Sequence, residues 1–132
     1  MSGLPVETVP DEATLVCIMD DDVELRATLK HLLQDAGMRV VETASGRDGI
    51  ALAQDVGAAV AIVDIVMPDQ EGLETIRTLR QLVPGIRILA MSGYDSRYLD
   101  MAMKLGADDS VRKPFAGREL VSRIRLLLGK EP

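Results

Sequence analysis

The side chains of this chain that have the types needed for chemistry stand where short apolar runs end. Three consecutive carboxylates follow the run LVCIM, a fourth follows AAVAIV, a serine follows IRILAM, and a lysine precedes a proline further on. These residues are Asp20, Asp21, Asp22, Asp64, Ser92 and Lys113. Carboxylates that meet in a partly desolvated pocket repel each other strongly unless a cation holds them. If the fold brings these residues together, the sequence predicts a cation site.

Oxygen ligands with incomplete protein coordination suit magnesium, which keeps waters or phosphate oxygens in its shell. A metal held by carboxylates can screen an incoming phosphoryl group and leave one carboxylate oxygen as the nucleophile. Lys113 can pair with the added negative charge, and the hydroxyl of Ser92 can donate a hydrogen bond to a phosphoryl oxygen. The residue types therefore indicate magnesium-dependent phosphoryl transfer.

Each residue alone also has an ordinary interpretation. The three consecutive aspartates are typical of a solvated loop and a helix cap. Asp64 could be a capping residue, Ser92 a turn residue, and Lys113 a surface lysine. The functional interpretation is favoured because these residues occur together, at the ends of four predicted strands. Such a joint occurrence is much rarer by chance than any one of the residues alone. The carboxyl ends of parallel strands meet at one edge of a sheet, where ligands bind in α/β folds.

The elements that would position these residues are five strand-helix units, because short apolar runs alternate with amphipathic stretches of helix length. The predicted strands are 15–19, 39–43, 59–63, 86–91 and 110–112. Leu25, Leu29, Leu32 and Ala36 mark one face of the first helix. Asp22 and Ser45 are predicted N-caps. Nearly continuous apolar strands predict an α/β fold whose parallel sheet is covered on both faces, a three-layer α/β/α sandwich.

Composition limits the class of protein. Residues 1–13 are predicted to form a mobile tail, and residues 14–130 one domain. A net charge of −6 without a clustered basic face argues against direct nucleic-acid binding. No apolar run reaches the roughly 18 to 20 residues that a membrane helix needs, and residues 1–13 lack the basic region and apolar stretch that are typical of a secretory signal. With Cys17 as the only cysteine, we expect a cytoplasmic protein without membrane contact.

The motifs IMDDD, VDIVMPDQEG, MSG and KPF resemble those of the response-regulator receiver family, and the resemblance covers roughly residues 14–130. It implies a flavodoxin-like five-stranded sheet of order 2-1-3-4-5. It also implies that Asp20, Asp21 and Asp64 bind magnesium and that Asp64 is the phosphorylated residue. Ser92 stands at a position that the family fills with Thr or Ser.

The same resemblance makes Lys113 the phosphate-contacting lysine and gives Val66 a backbone carbonyl that contacts the metal. It also suggests a cis peptide before Pro114, although the general prior for an X-Pro bond is trans. The implied partners are a sensor histidine kinase or a histidine phosphotransfer protein, then a downstream protein target or output domain, with a homodimer also compatible. The implied domain catalyses only its own phosphorylation and dephosphorylation and is otherwise no enzyme.

One position departs from the family pattern: Ser110 stands where a Tyr or Phe usually reorients on activation. This leaves open a receiver that docks its partner independently of phosphorylation. The enzymatic alternative is a phosphatase of the haloacid dehalogenase type, which also uses an aspartate nucleophile, magnesium, a hydroxyl and a lysine. Such enzymes carry a DxDxT pattern on the first strand, whereas this chain has DDD there and a single candidate acceptor after the third strand.

Overall fold

A computed structural model describes residues 14–65, 71–93 and 96–129 of the chain. These residues form one parallel sheet of five strands in the order β2-β1-β3-β4-β5. The strands are β1 (Leu15–Met19), β2 (Arg39–Thr43), β3 (Val60–Asp64), β4 (Arg87–Ser92) and β5 (Asp109–Arg112). The predicted fold class and strand order are confirmed. The predicted tail, residues 1–13, lies outside the described residues.

Five helices connect and cover the strands. They are α1 (Val23–Asp35), α2 (Gly46–Val56), α3 (Glu71–Leu82), α4 (Ser96–Leu105) and α5 (Gly117–Leu127). Within the described ranges, no helix is long and apolar enough to cross a membrane. Two predicted caps are confirmed: Asp22 accepts from the backbone N–H groups of Glu24 and Leu25 at 3.0 and 3.2 Å, and Ser45 accepts from that of Asp48 at 3.1 Å.

Two separate apolar cores lie on the two faces of the sheet, because side chains alternate along each strand. Cys17, Ala61 and Ala90 face a core that also contains residues of α2, α3 and α4. Ile18 and Ile62 face a second core, which contains residues of α1 and α5. This is the three-layer arrangement that the apolar strands predicted.

The boundaries of three strands differ slightly from the prediction. β3 and β4 each begin one residue later and include Asp64 and Ser92, and β5 begins one residue earlier, at Asp109. The ladder explains the extension, since Asp64 is in register with Met91, and Ser92 with Arg112. Both functional candidates are therefore fixed by sheet pairing and not by the loops that follow.

On α1, the deeply buried positions are Leu29 and Leu33, whereas Leu25 and Leu32 are half-buried. The predicted face was therefore slightly rotated. Leu29 and Leu33 are four residues apart and so lie on one face of the helix, and the line of deepest contact runs through them.

At the opposite edge of the sheet from the strand ends, Arg80 ties α3 to two neighbouring loops. Its guanidinium donates to the carbonyls of Pro84, Ile86 and Gly106 at distances between 2.8 and 3.0 Å. It also donates to the carboxylate of Asp108 at 2.6 Å, which accepts from the backbone N–H of Ile88. We call this group the Arg80 clamp. It satisfies the backbone groups that precede β4 and β5.

Candidate functional site

Asp20 lies immediately after β1 and its side chain is fully buried, with 0% exposure. Its Oδ1 accepts from the backbone N–H of Asp22 at 2.9 Å, and its own N–H donates to the carbonyl of Thr43 at 3.2 Å. Burial raises the pKa of the Asp20 carboxyl to about 6, and the nearby charge of Asp64 adds to this rise. The hydrogen bond from Asp22 and the charge of Lys113 oppose it. The buried carboxyl of Asp20 therefore holds its proton more readily than an exposed aspartate would.

Asp64 is the last residue of β3 and is 5% exposed. The ammonium of Lys113 reaches it from the end of β5, with 3.1 Å between Nζ and Oδ2. The same Nζ lies 3.5 Å from Oδ2 of Asp20. One cation therefore bridges two buried carboxylates that come from different strands.

Carboxylate oxygens of Asp20, Asp21 and Asp64 all lie within 4.8 Å of one another. Asp21 is exposed, whereas the other two are buried, so the group forms a shallow cluster with one side open to solvent. The ammonium of Lys113 contacts two of these three carboxylates and carries one positive charge against their three negative charges, a balance that favours a divalent cation. The donors are all oxygens and leave much of a coordination shell to water or phosphate, which fits magnesium.

Ser92 and Lys113 are joined through the backbone. The N–H of Lys113 donates to the carbonyl of Ser92 at 2.9 Å, and Ser92 is fully buried at the end of β4. The Lys113–Pro114 peptide is cis, as the resemblance suggested and the general prior did not. The structure thus brings Asp20, Asp21, Asp64 and Lys113 together and holds Ser92 at the neighbouring strand end.

Two positions singled out in the sequence, Val66 and Ser110, are not part of this cluster as the structure describes it. Val66, the predicted carbonyl ligand, lies outside the described residues. Ser110 is half-buried in β5, and its backbone N–H donates to Oδ1 of Asp109 at 2.8 Å. Arg123 of α5 donates to both carboxylate oxygens of Asp109 at 3.0 Å.

One residue in contact with the site was not among the candidates predicted from the sequence. Arg26, on the first turn of α1, donates from Nη1 to the backbone carbonyl of Asp20 at 2.8 Å. Its Nε donates to Oε1 of Glu42 on β2 at 3.2 Å. An arginine on an amphipathic helix looks like a surface residue, and only its position six residues after Asp20 could have suggested this contact.

Comparison with known proteins identifies the family to which this fold belongs. Residues 16–125 match the family model of the response regulator receiver domain. The transcriptional regulatory protein CpxR of Klebsiella pneumoniae is 38% identical over 115 residues, a match that covers 86% of this chain and 48% of CpxR. The chain thus spans about half the length of the curated relatives that it matches.

Among solved structures, a CheY-like receiver domain protein from Methanospirillum hungatei superimposes with a TM-score of 0.83 at 29% identity, covering 88% of this chain and 94% of that one. A response regulator from Burkholderia pseudomallei, described with a phosphorylated aspartic acid, a calcium ion and citrate, gives a TM-score of 0.77 at 27% identity and covers 83% of this chain and 65% of that one. The chain belongs to the response regulator receiver domain family, the signalling module of two-component systems.

Proposed function

We propose that Asp64 accepts a phosphoryl group from a phosphohistidine of a sensor histidine kinase or a histidine phosphotransfer protein, in a reaction that requires magnesium. The observation that carries this proposal is the contact of the Lys113 ammonium with both Asp64 and Asp20, 3.1 and 3.5 Å away, inside a cluster of three carboxylates. The Burkholderia pseudomallei relative, whose description includes a phosphorylated aspartic acid and a calcium ion, supports the same chemistry.

In the proposed reaction, an oxygen of Asp64 attacks the phosphorus atom as the phosphorus-nitrogen bond of the donor breaks, and the imidazole leaves with the bonding electrons and takes up a proton. Asp20 and Asp21 would hold the magnesium ion, with the backbone carbonyl of Val66 as a further ligand. When bound, the ion would neutralise charge on the transferred group and the carboxylates. Lys113 would shift from the carboxylates to the new phosphoryl oxygens, and Ser92 would donate a hydrogen bond to one of them.

The proposed output is a protein contact or a further domain. The curated relatives are named transcriptional regulatory proteins, and this chain matches about half of their length. The net charge of the whole chain is −6, which disfavours direct binding of the domain to nucleic acid. We therefore assign the domain the role of an input module, whose phosphorylation state is recognised by a protein partner.

The experiment uses acetyl phosphate and magnesium, with intact-mass measurement of the protein. Wild type should gain one phosphoryl group, with the acid stability and base lability of an acyl phosphate, and a chelator should prevent the gain. Asp64→Asn should gain none, whereas the matched control Asp22→Asn, which alters the cap of α1, should still be phosphorylated. The same adduct in Asp64→Asn would show that the acceptor is another residue.

A phosphorylation-independent docking module is the second candidate, and it is favoured by Ser110, which is half-buried where the family usually has an aromatic residue. The same experiment separates the two candidates. Wild type that gains no phosphoryl group from acetyl phosphate, or from a phosphorylated histidine phosphotransfer domain, would favour docking alone.

A further inference from the structure

Two carboxylates of the acidic cluster, Asp20 and Asp21, belong to consecutive residues, so the peptide between them sets their relative position. The carbonyl oxygen of that peptide is the oxygen of Asp20 that accepts from Nη1 of Arg26 at 2.8 Å. On the other side of Asp20, its N–H donates to the carbonyl of Thr43 in β2. The backbone of Asp20 is therefore held at both of its polar groups.

Arg26 is itself held in place. Its side chain is only 14% exposed, and its Nε donates to Oε1 of Glu42 at 3.2 Å. Oε2 of Glu42 lies 3.5 Å from Nζ of Lys30, whose side chain is 44% exposed. A planar guanidinium can serve a carbonyl and a carboxylate at once, which a lysine ammonium of the same reach cannot do with fixed geometry.

We propose that Arg26, oriented by Glu42, is a positioning residue for the metal and phosphoryl site. It fixes the plane of the Asp20–Asp21 peptide and so directs the buried and the exposed carboxylate toward one ion. This inference rests on the proposed magnesium site. It adds a residue that touches neither the ion nor the phosphoryl group and acts through the backbone.

The physical reason is preorganisation. Two like-charged carboxylates tend to separate when nothing binds them. Part of the free energy of metal binding is then lost in bringing them together. Partners of this outer kind typically change metal affinity by about 10- to 100-fold when they are removed. Because Arg26 is balanced by Glu42, its loss should act mainly through geometry and less through net charge at the site.

The test is a magnesium titration followed by the amide resonances of residues 20–22 and 64, without any phosphoryl donor. Arg26→Ala should raise the dissociation constant for magnesium by about tenfold. The matched control is Lys30→Ala, which also loses a contact to Glu42 but does not touch Asp20, and it should stay within about twofold of wild type. In acetyl phosphate assays, raising magnesium should restore most of the phosphorylation rate of Arg26→Ala.

Arg26→Lys provides a second variant if Arg26→Ala does not fold. Lysine keeps the positive charge but lacks the planar guanidinium that can donate to Asp20 and Glu42 at once. Arg26→Lys should therefore still weaken magnesium binding at least threefold. Unchanged titration in both Arg26 variants, beside a wild type that binds magnesium, would overturn this inference alone. An equal loss in Arg26→Ala and Lys30→Ala would also overturn it, since the effect would then come from the contact to Glu42 that both variants lose and not from the hydrogen bond to Asp20. A wild type with no magnesium response would overturn the proposed metal site and this inference together.

Discussion

Gly72, near the beginning of α3, lies against the backbone that carries the candidate acceptor. A Cβ atom built on Gly72 would lie 2.3 Å from the carbonyl oxygen of Asp64 and 2.4 Å from Cα of Ile65. Ordinary contacts of this kind begin at 3.4 Å, so Gly72→Ala needs a displacement of about 1 Å. The atoms in the way are backbone and cannot rotate aside, so either α3 or the end of β3 must move.

Two effects of opposite sign decide the stability of Gly72→Ala. Alanine gains about 1 kcal/mol over glycine inside a helix. Overpacking against atoms that cannot relax costs about 1 to 3 kcal/mol and sometimes more. We therefore expect a net destabilisation of about 1 to 2 kcal/mol, because the clash involves several backbone atoms at once. Phosphorylation should suffer more, since misplacing a reacting group by about 1 Å can cost about 100-fold in rate.

The assay combines urea unfolding with the rate of phosphorylation by acetyl phosphate. Two further glycines provide graded controls. A Cβ atom added at Gly117 meets only the flexible side chain of Leu32, whose nearest atom lies 2.8 Å away, and one added at Gly85 meets nothing within 4 Å. Gly85→Ala should change stability by less than about 0.5 kcal/mol, and Gly117→Ala should fall between the two. If Gly72→Ala unfolds like Gly85→Ala and keeps a wild-type phosphorylation rate, the argument from close approach is wrong.

Three other outcomes are expected. Arg80→Ala should lower the unfolding free energy by about 3 kcal/mol, because four partners of its guanidinium lose their donor. Phosphorylation of the folded protein should change little, since the clamp lies at the opposite sheet edge; a large loss of rate at unchanged stability would contradict this. Burial raises the pKa of the Cys17 thiol from 9.0 to about 12. As the pH rises above 9, the unfolded chain loses this proton while the folded chain keeps it, so the free energy of unfolding falls. Between about pH 7.5 and 10, wild type should lose about 1.4 kcal/mol more than Cys17→Ala, and parallel pH profiles would contradict this. Lys113→Ala should slow phosphorylation but bind magnesium at least as tightly, because the ammonium competes for Asp20 and Asp64; weaker magnesium binding would show that Lys113 helps to form the metal site.

Much of the fold was predictable because its signals are local. Apolar runs of strand length, alternating with helical patterns, predicted all five units, and the small acceptor side chains of Asp22 and Ser45 predicted two caps. The ends of β3 and β4 were less predictable. Their last residues, Asp64 and Ser92, are polar and look like loop residues until pairing with a neighbouring strand is known.

The residues of the candidate site were predictable from the sequence, but the burial of each side chain was less so. Nothing in the three consecutive aspartates says that Asp20 is fully buried and Asp21 exposed, because that depends on which way the chain turns out of β1. Arg26 was missed for a related reason. Its contact is with a backbone carbonyl, and its partner Glu42 is 16 residues further along the chain, so no motif records the pair.

The division of the interior into two cores has a consequence for how such a protein diversifies. α4 packs into one core and α5 into the other, and among the described residues the two clusters have no buried residue in common. Substitutions that reshape one helical layer therefore leave the packing of the other layer in place, since distant sites contribute nearly independently to stability. During evolution, the surface formed by one helical layer can therefore change to suit a new partner while the surface of the other layer stays as it was.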